Sequence, residues 1–73
     1  MTKHNGHKNW NHWNVSLWIN NDEGLYRDAL DFATTYGRGV GARKFYETCL
    51  RGEKTPDGAP YSYSSVRAAM VGL

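Results

Sequence analysis

Three histidines, one cysteine, a run of acids and a glycine-rich basic segment are the parts of this 73-residue chain that chemistry could use. His4, His7 and His12 are spaced H-x2-H-x4-H, and three imidazoles are enough donors to hold a transition metal. No cysteine or carboxylate at a recognised spacing completes the set, so surface histidines are the favoured reading. Cys49 is a potential nucleophile if the fold brings a histidine to it. Its neighbours Phe45 and Leu50 put it instead on an apolar helical stripe, where a thiol behaves as a small buried hydrophobe. Asp22, Glu23, Asp28 and Asp31 resemble a carboxylate cluster. The first two, however, suit the opening turn of a helix, where the dipole favours negative charge, and the last two suit a solvated face. The segment "GRGVGARK" sets glycines and a lysine near a helix start, as a phosphate loop does. It lacks the G-x4-G-K-[ST] spacing and a preceding strand, which leaves a backbone turn. The serines of "YSYSS" have no nucleophile-elbow context and serve as helix caps. No catalytic constellation emerges. The chain reads as non-enzymatic, without metal or cofactor.

Two kinds of binding surface remain. Arg38, Arg43, Lys44 and Arg51 could supply phosphate contacts if the second helix, the "YGRGVG" turn and the third helix formed a helix-turn-helix, with Lys54 and Arg67 extending the basic area. Glu47 and the acids of the second helix dilute that patch. The net charge of +2 permits contact with nucleic acid or an acidic protein surface without requiring it. The other surface is aromatic. Trp10, Trp13 and Trp18 fall within nine residues, among Asn9, Asn11, Asn14, Asn20 and Asn21. Tryptophan is prominent among interface hot spots, and a core this small need not cover all three rings. Trp18, at the edge of the stripe, is the first candidate for exposure, followed by Trp10. Asn14 lies within the stripe, where an unpaired amide is costly, so it should bond to backbone at a neighbouring helix end.

The elements that must position these residues are helical. A first helix is expected from the cap residue Asn9 to about Ile19, with Trp10, Trp13, Leu17 and Trp18 on one broad stripe. A second should start at Asn20 or Asn21, with Asn20 and Glu23 at capping-box spacing. Its apolar face is Leu25, Ala29, Phe32, Ala33 and Tyr36, widened by Tyr26 and Leu30. Glu23, Arg27 and Asp31 line the opposite side at i,i+4 steps, and Gly37 closes the helix. A third helix is expected over Ala42–Arg51, with Ala42, Phe45, Tyr46, Cys49 and Leu50 inward and Gly52 as its stop. A fourth, capped by Ser62 or Ser64, should turn Val66, Ala69 and Met70 inward and end at Gly72. Pro56-Asp57-Gly58 suits a tight turn, and a tiny hairpin could close over residues 54–61. The expected fold is all-α: a compact single domain of about four short helices over residues 9–73, behind a flexible N-terminal stretch, residues 1–8.

Size and composition narrow the class. The ten aromatic residues can each bury on the order of 150–250 Å², enough for a short chain to assemble a core. A single cysteine excludes an intrachain disulfide and a cysteine-based zinc site, and a lone thiol suits a reducing compartment. No apolar run approaches the roughly 20 residues that span a bilayer, and "MTKHNGHKNW" has no signal-peptide core. The expected setting is the cytoplasm, with no membrane contact.

The run W-N-V-S-L-W-I-N-N-D-E-G-L-Y-R, from Trp13 to Arg27, resembles a pattern in small uncharacterised proteins of bacteriophages and related mobile elements. The tail "TPDGAPYSYSSVRAAMVGL" is similar more loosely. The resemblance transfers no functional residues. It implies a context, since compact phage accessory proteins without enzymatic motifs commonly act by binding a host component. The resulting expectation is a binding protein that inhibits or redirects a host protein or complex, with an anti-CRISPR-like inhibitor in the host cell cytoplasm as its most specific form. The alternatives are a small DNA-binding regulator using the third helix, and a homo-oligomer that buries the tryptophans.

Overall fold

In the computed structural model, residues 8–71 and 73 are described. The expected flexible start, with His4 and His7, and the expected helix end at Gly72 lie outside these residues, apart from Lys8. Four α-helices follow in order: α1 (Trp10–Asn21), α2 (Glu23–Tyr36), α3 (Arg38–Phe45) and α4 (Tyr63–Ala69), with a π-helical turn, Tyr46–Leu50, continuing α3. The protein is an all-α bundle in one domain. Lys54 and Pro60 form an isolated antiparallel bridge at the mouth of the loop between the π turn and α4.

The joints from α1 to α2 and from α2 to α3 are unusually short. Asp22 alone links α1 to α2, and its carboxylate accepts from the Leu25 amide at 2.9 Å while its own amide donates to the Trp18 carbonyl. One residue thus closes one helix and opens the next. The expected cap at Asn20 or Asn21 is overturned, because both sit in the last turn of α1. The Asn20 amide donates to the Ala69 carbonyl at 3.3 Å, satisfying an orphan acceptor at the end of α4.

Gly37 alone joins α2 to α3, at φ 85° and ψ 163°. That combination is essentially restricted to glycine. The segment expected to be a glycine-rich turn before Ala42 is therefore helix from Arg38 onward. Packing explains why so glycine-rich a stretch becomes helical. A Cβ on Gly41 would lie 2.5 Å from the Phe32 carbonyl oxygen, so α3 rests directly on the α2 backbone.

The core comprises Val15 and Ile19 of α1, Ala29 of α2, Ala42 and Phe45 of α3, Leu50, Ala59 and Tyr61 beyond it, and Val66, Ala69 and Met70 at α4. α1 packs chiefly on α4, and α2 on α3. Phe32 stacks on Phe45 with ring centroids 5.3 Å apart. Of the wide face expected on α2, only Ala29 is buried; Tyr26, Leu30 and Tyr36 are exposed. α4 opens as expected at Ser62, in a capping box with Ser65, and turns Val66, Ala69 and Met70 inward.

The π turn accounts for one reversal. The Arg51 amide donates to the Tyr46 carbonyl five residues back, so each turn holds more residues than an α-helix does. Phe45 and Leu50 are the pair brought to the core, and Cys49 swings out to solvent rather than being buried.

The contact at Gly41 sets a matched pair of expectations. Gly41→Ala must prise α3 from α2 and should cost about 1–3 kcal/mol, seen as a lower urea midpoint. Gly39→Ala, whose added methyl meets no atom within 4 Å, should leave the midpoint unchanged or raise it.

Candidate functional site

α1 carries no formally charged side chain along its length, Trp10–Asn21, unlike each of the other described α-helices. It is apolar on two sides. Val15 and Ile19 are fully buried. On the outer side Trp10 is 41% and Leu17 37% exposed, and Trp13 between them is half-buried. These three fall within about 60° of arc at the α-helical rotation of roughly 100° per residue. The inward stripe expected from Trp10, Trp13, Leu17 and Trp18 is thus replaced by Val15 and Ile19. The expected order of exposure is also reversed: Trp10 is the open ring, and Trp18 is half-buried.

Trp18 is held by a carboxylate. Its indole Nε1 donates to Asp57 Oδ2 at 2.9 Å, and the Asn14 Nδ2 donates to the same oxygen at 2.9 Å. Asn14 is buried, and its Oδ1 accepts from the Thr55 hydroxyl at 2.6 Å. Thr55 Oγ in turn accepts from the Ala59 amide at 3.0 Å, inside the turn formed by Thr55–Gly58. The expected bond from Asn14 to a helix-end backbone is therefore corrected. Its partners are two side chains of the loop, and they take Asn14 and the polar edge of Trp18 out of the pool of free binding groups. The bonds from Asn14, and then from Trp18, hold the Asp57 carboxyl below its ordinary value.

The six basic candidates are all exposed but do not form one patch. Arg38 and Arg67 line a cleft of about 570 Å³ between the start of α3 and α4, together with His12, Gly39, Tyr63 and Ser64. Arg43 is beside it, its guanidinium 4.6 Å from the Tyr63 ring centre and 4.0 Å from Glu47. Lys44 sits 5.0 Å over the Tyr36 ring. Arg51 and Lys54 stand apart at the loop that follows the π turn. The cleft was not legible in the sequence, because α3 was expected to start at Ala42, which left Arg38 and Gly39 in a loop.

Cys49 is exposed, yet partial desolvation of its sulfur, followed by the nearby Asp28 carboxylate, raises the thiol above its ordinary value. That direction is opposite to the one that activates a thiolate nucleophile. His12 is in α1 with its Nε2 3.2 Å from the Ser64 hydroxyl. No three metal-ligating side chains come together among the described residues.

The Asn14 network generates two expectations. Thr55→Val leaves a buried amide oxygen without its donor and should cost about 1–3 kcal/mol in denaturant unfolding. Asp57 has a lowered carboxyl, so its stabilising contribution is present above the ordinary carboxylate range, about pH 4, and is lost as the pH falls through the lower folded value. Wild type should therefore melt higher than Asp57→Ala at neutral pH, and the gap should close in acid. A gap independent of pH would show that the carboxylate charge is not what holds the loop.

No curated protein and no solved structure matches the chain. Residues 1–71 match DUF7249, a family of unknown function, and the chain belongs to that family.

Proposed function

We propose that the protein is a non-enzymatic binding module that docks the outer face of α1 onto a protein partner. The observation that supports this most is the charge-free helix with Trp10 and Leu17 exposed, Trp13 half-buried between them, and Asn11, Asn20 and Asn21 exposed around them. Depletion of charge together with enrichment in aromatics is the composition of the buried centre of an interface, and rimming amides can hydrogen-bond at its edge. In its most specific form the reading is a phage-type inhibitor of a host defence complex, on the strength of the Trp13–Arg27 resemblance. A cytoplasmic setting belongs to the same proposal and suits the exposed free thiol of Cys49. No helix among the described residues is long and apolar enough to cross a membrane.

A DNA-binding regulator is the second reading, favoured by the exposed cations Arg38 and Arg67. The single-residue joint at Gly37 counts against it, since a helix-turn-helix uses three or four residues there. Two of its proposed phosphate contacts, Arg43 and Lys44, also sit on aromatic rings.

Affinity capture from the lysate of the producing cell, with wild type beside Trp10→Ala and Leu17→Ala, tests the first reading. Wild type should retain a defined protein that both variants lose, while helical content and melting stay within a few degrees of wild type. Identical capture by all three, or a wild-type dimer in solution that dissociates on either substitution, would sink it.

A further inference from the structure

The cleft between α3 and α4 is separate from the outer face of α1 and has a different chemistry. Its walls bring Arg38 and Arg67 to one concavity, and no carboxylate is among the lining residues. Neither arginine has an ion-pair partner among the described residues, whereas Arg27 and Arg43 each face a glutamate one turn away. Two unpaired guanidinium groups on one cleft repel each other weakly and focus a positive field into it. An anion between them removes the repulsion, and the guanidinium fork matches a phosphate better than any other common side chain does.

The backbone adds to the same field. α3 begins at Gly37 without a side-chain cap, and its first internal bond is from the Gly41 amide to the Gly37 carbonyl at 2.7 Å. The amides of Arg38, Gly39 and Val40 therefore have no acceptor within the helix, and the positive end of the helix dipole is at the cleft where Gly39 lines it. The far wall is held in place. The Tyr63 hydroxyl donates to the Gly39 carbonyl at 3.4 Å, and Arg43 covers the Tyr63 ring. Ser64 brings a hydroxyl beside His12.

We infer that this cleft binds a phosphate oxyanion carried by a small molecule, with Arg38 and Arg67 as its principal ligands. Its volume of about 570 Å³ lies in the range of small-molecule sites, about 300–1,000 Å³. A nucleic-acid backbone fits less well. Among the described residues, Arg51 and Lys54 stand apart at the loop after the π turn, and Glu47 stands beside Arg43. Free phosphate and the phosphate of a nucleotide share this chemistry.

Titration calorimetry of the full chain at low salt, with inorganic phosphate, pyrophosphate and a nucleoside monophosphate as separate probes, tests the inference. At least one probe should bind. Arg38→Gln and Arg67→Gln should each weaken it tenfold or more, Arg51→Gln should not, and Trp10→Ala should leave it intact. Tighter binding of the nucleoside monophosphate than of phosphate identifies a nucleotide site; equal binding identifies a site for the oxyanion alone. Amide shifts in the wild-type nuclear magnetic resonance spectrum, confined to residues 38–40 and 63–67, give a readout that needs no variant. Absence of binding by all three probes overturns the inference. So does binding indifferent to Arg38 and Arg67, and so does binding shown only by a separately titrated DNA duplex and falling steeply with salt.

Discussion

The side-chain amide of Asn14 is inside the protein, and both of its ends are used: the oxygen by the Thr55 hydroxyl, the nitrogen by the Asp57 carboxylate. Burying an amide is tolerable only on those terms. Because both partners belong to the loop after the π turn, satisfying Asn14 also fixes where that loop lies. Ala59 and Tyr61 of the same loop close the core from that side. The polar pair and the apolar cover are thus one arrangement. Among the described residues no buried side-chain nitrogen or oxygen lacks a partner, so the loop completes the fold rather than decorating it.

The first three helices are packed around very short joints. With one residue between α1 and α2 and one between α2 and α3, the helix directions follow from the backbone angles of Asp22 and Gly37. The close approach at Gly41 then leaves room in the centre for small and β-branched side chains, with Phe45 as the largest residue fully enclosed. Rings as large as tryptophan fit at the margins instead. Trp18 finds a carboxylate for its N–H, Trp13 is half covered, and Trp10 stays in water. The apolar exterior of α1 is a consequence of how narrow the interior is.

The fold class was readable because its signals are local. Asn9 and Ser62 cap the helices as their types suggest, Gly37 closes α2, and Val66, Ala69 and Met70 face inward at the expected spacing. What escaped the sequence depends on distant contacts. Thr55 and Asp57 are 41 and 43 residues from Asn14, and no local pattern links them. The segment at residues 38–41 has the composition of a loop, and its helicity comes from α2 beneath it. For α1, tryptophan made the helix a candidate interaction surface by residue type. With apolar residues all round, periodicity had no means of telling its inner face from its outer one. The basic cleft was hidden for a related reason, since it exists only where α3 and α4 meet.

The π turn at Tyr46–Leu50 has a consequence for how the chain can vary. The core anchors Phe45 and Leu50 are five positions apart, where successive turns of an ordinary α-helix would place them three or four apart. The turn is equivalent to a single-residue insertion absorbed without disturbing either anchor. A relative lacking one residue between them could keep both core side chains in register through a regular helix. Its surface would differ instead, because the position that carries Cys49 here would be lost or rotated. Length differences at this point should therefore be neutral for the interior and heritable as changes in surface chemistry, including whether the protein presents a thiol at all.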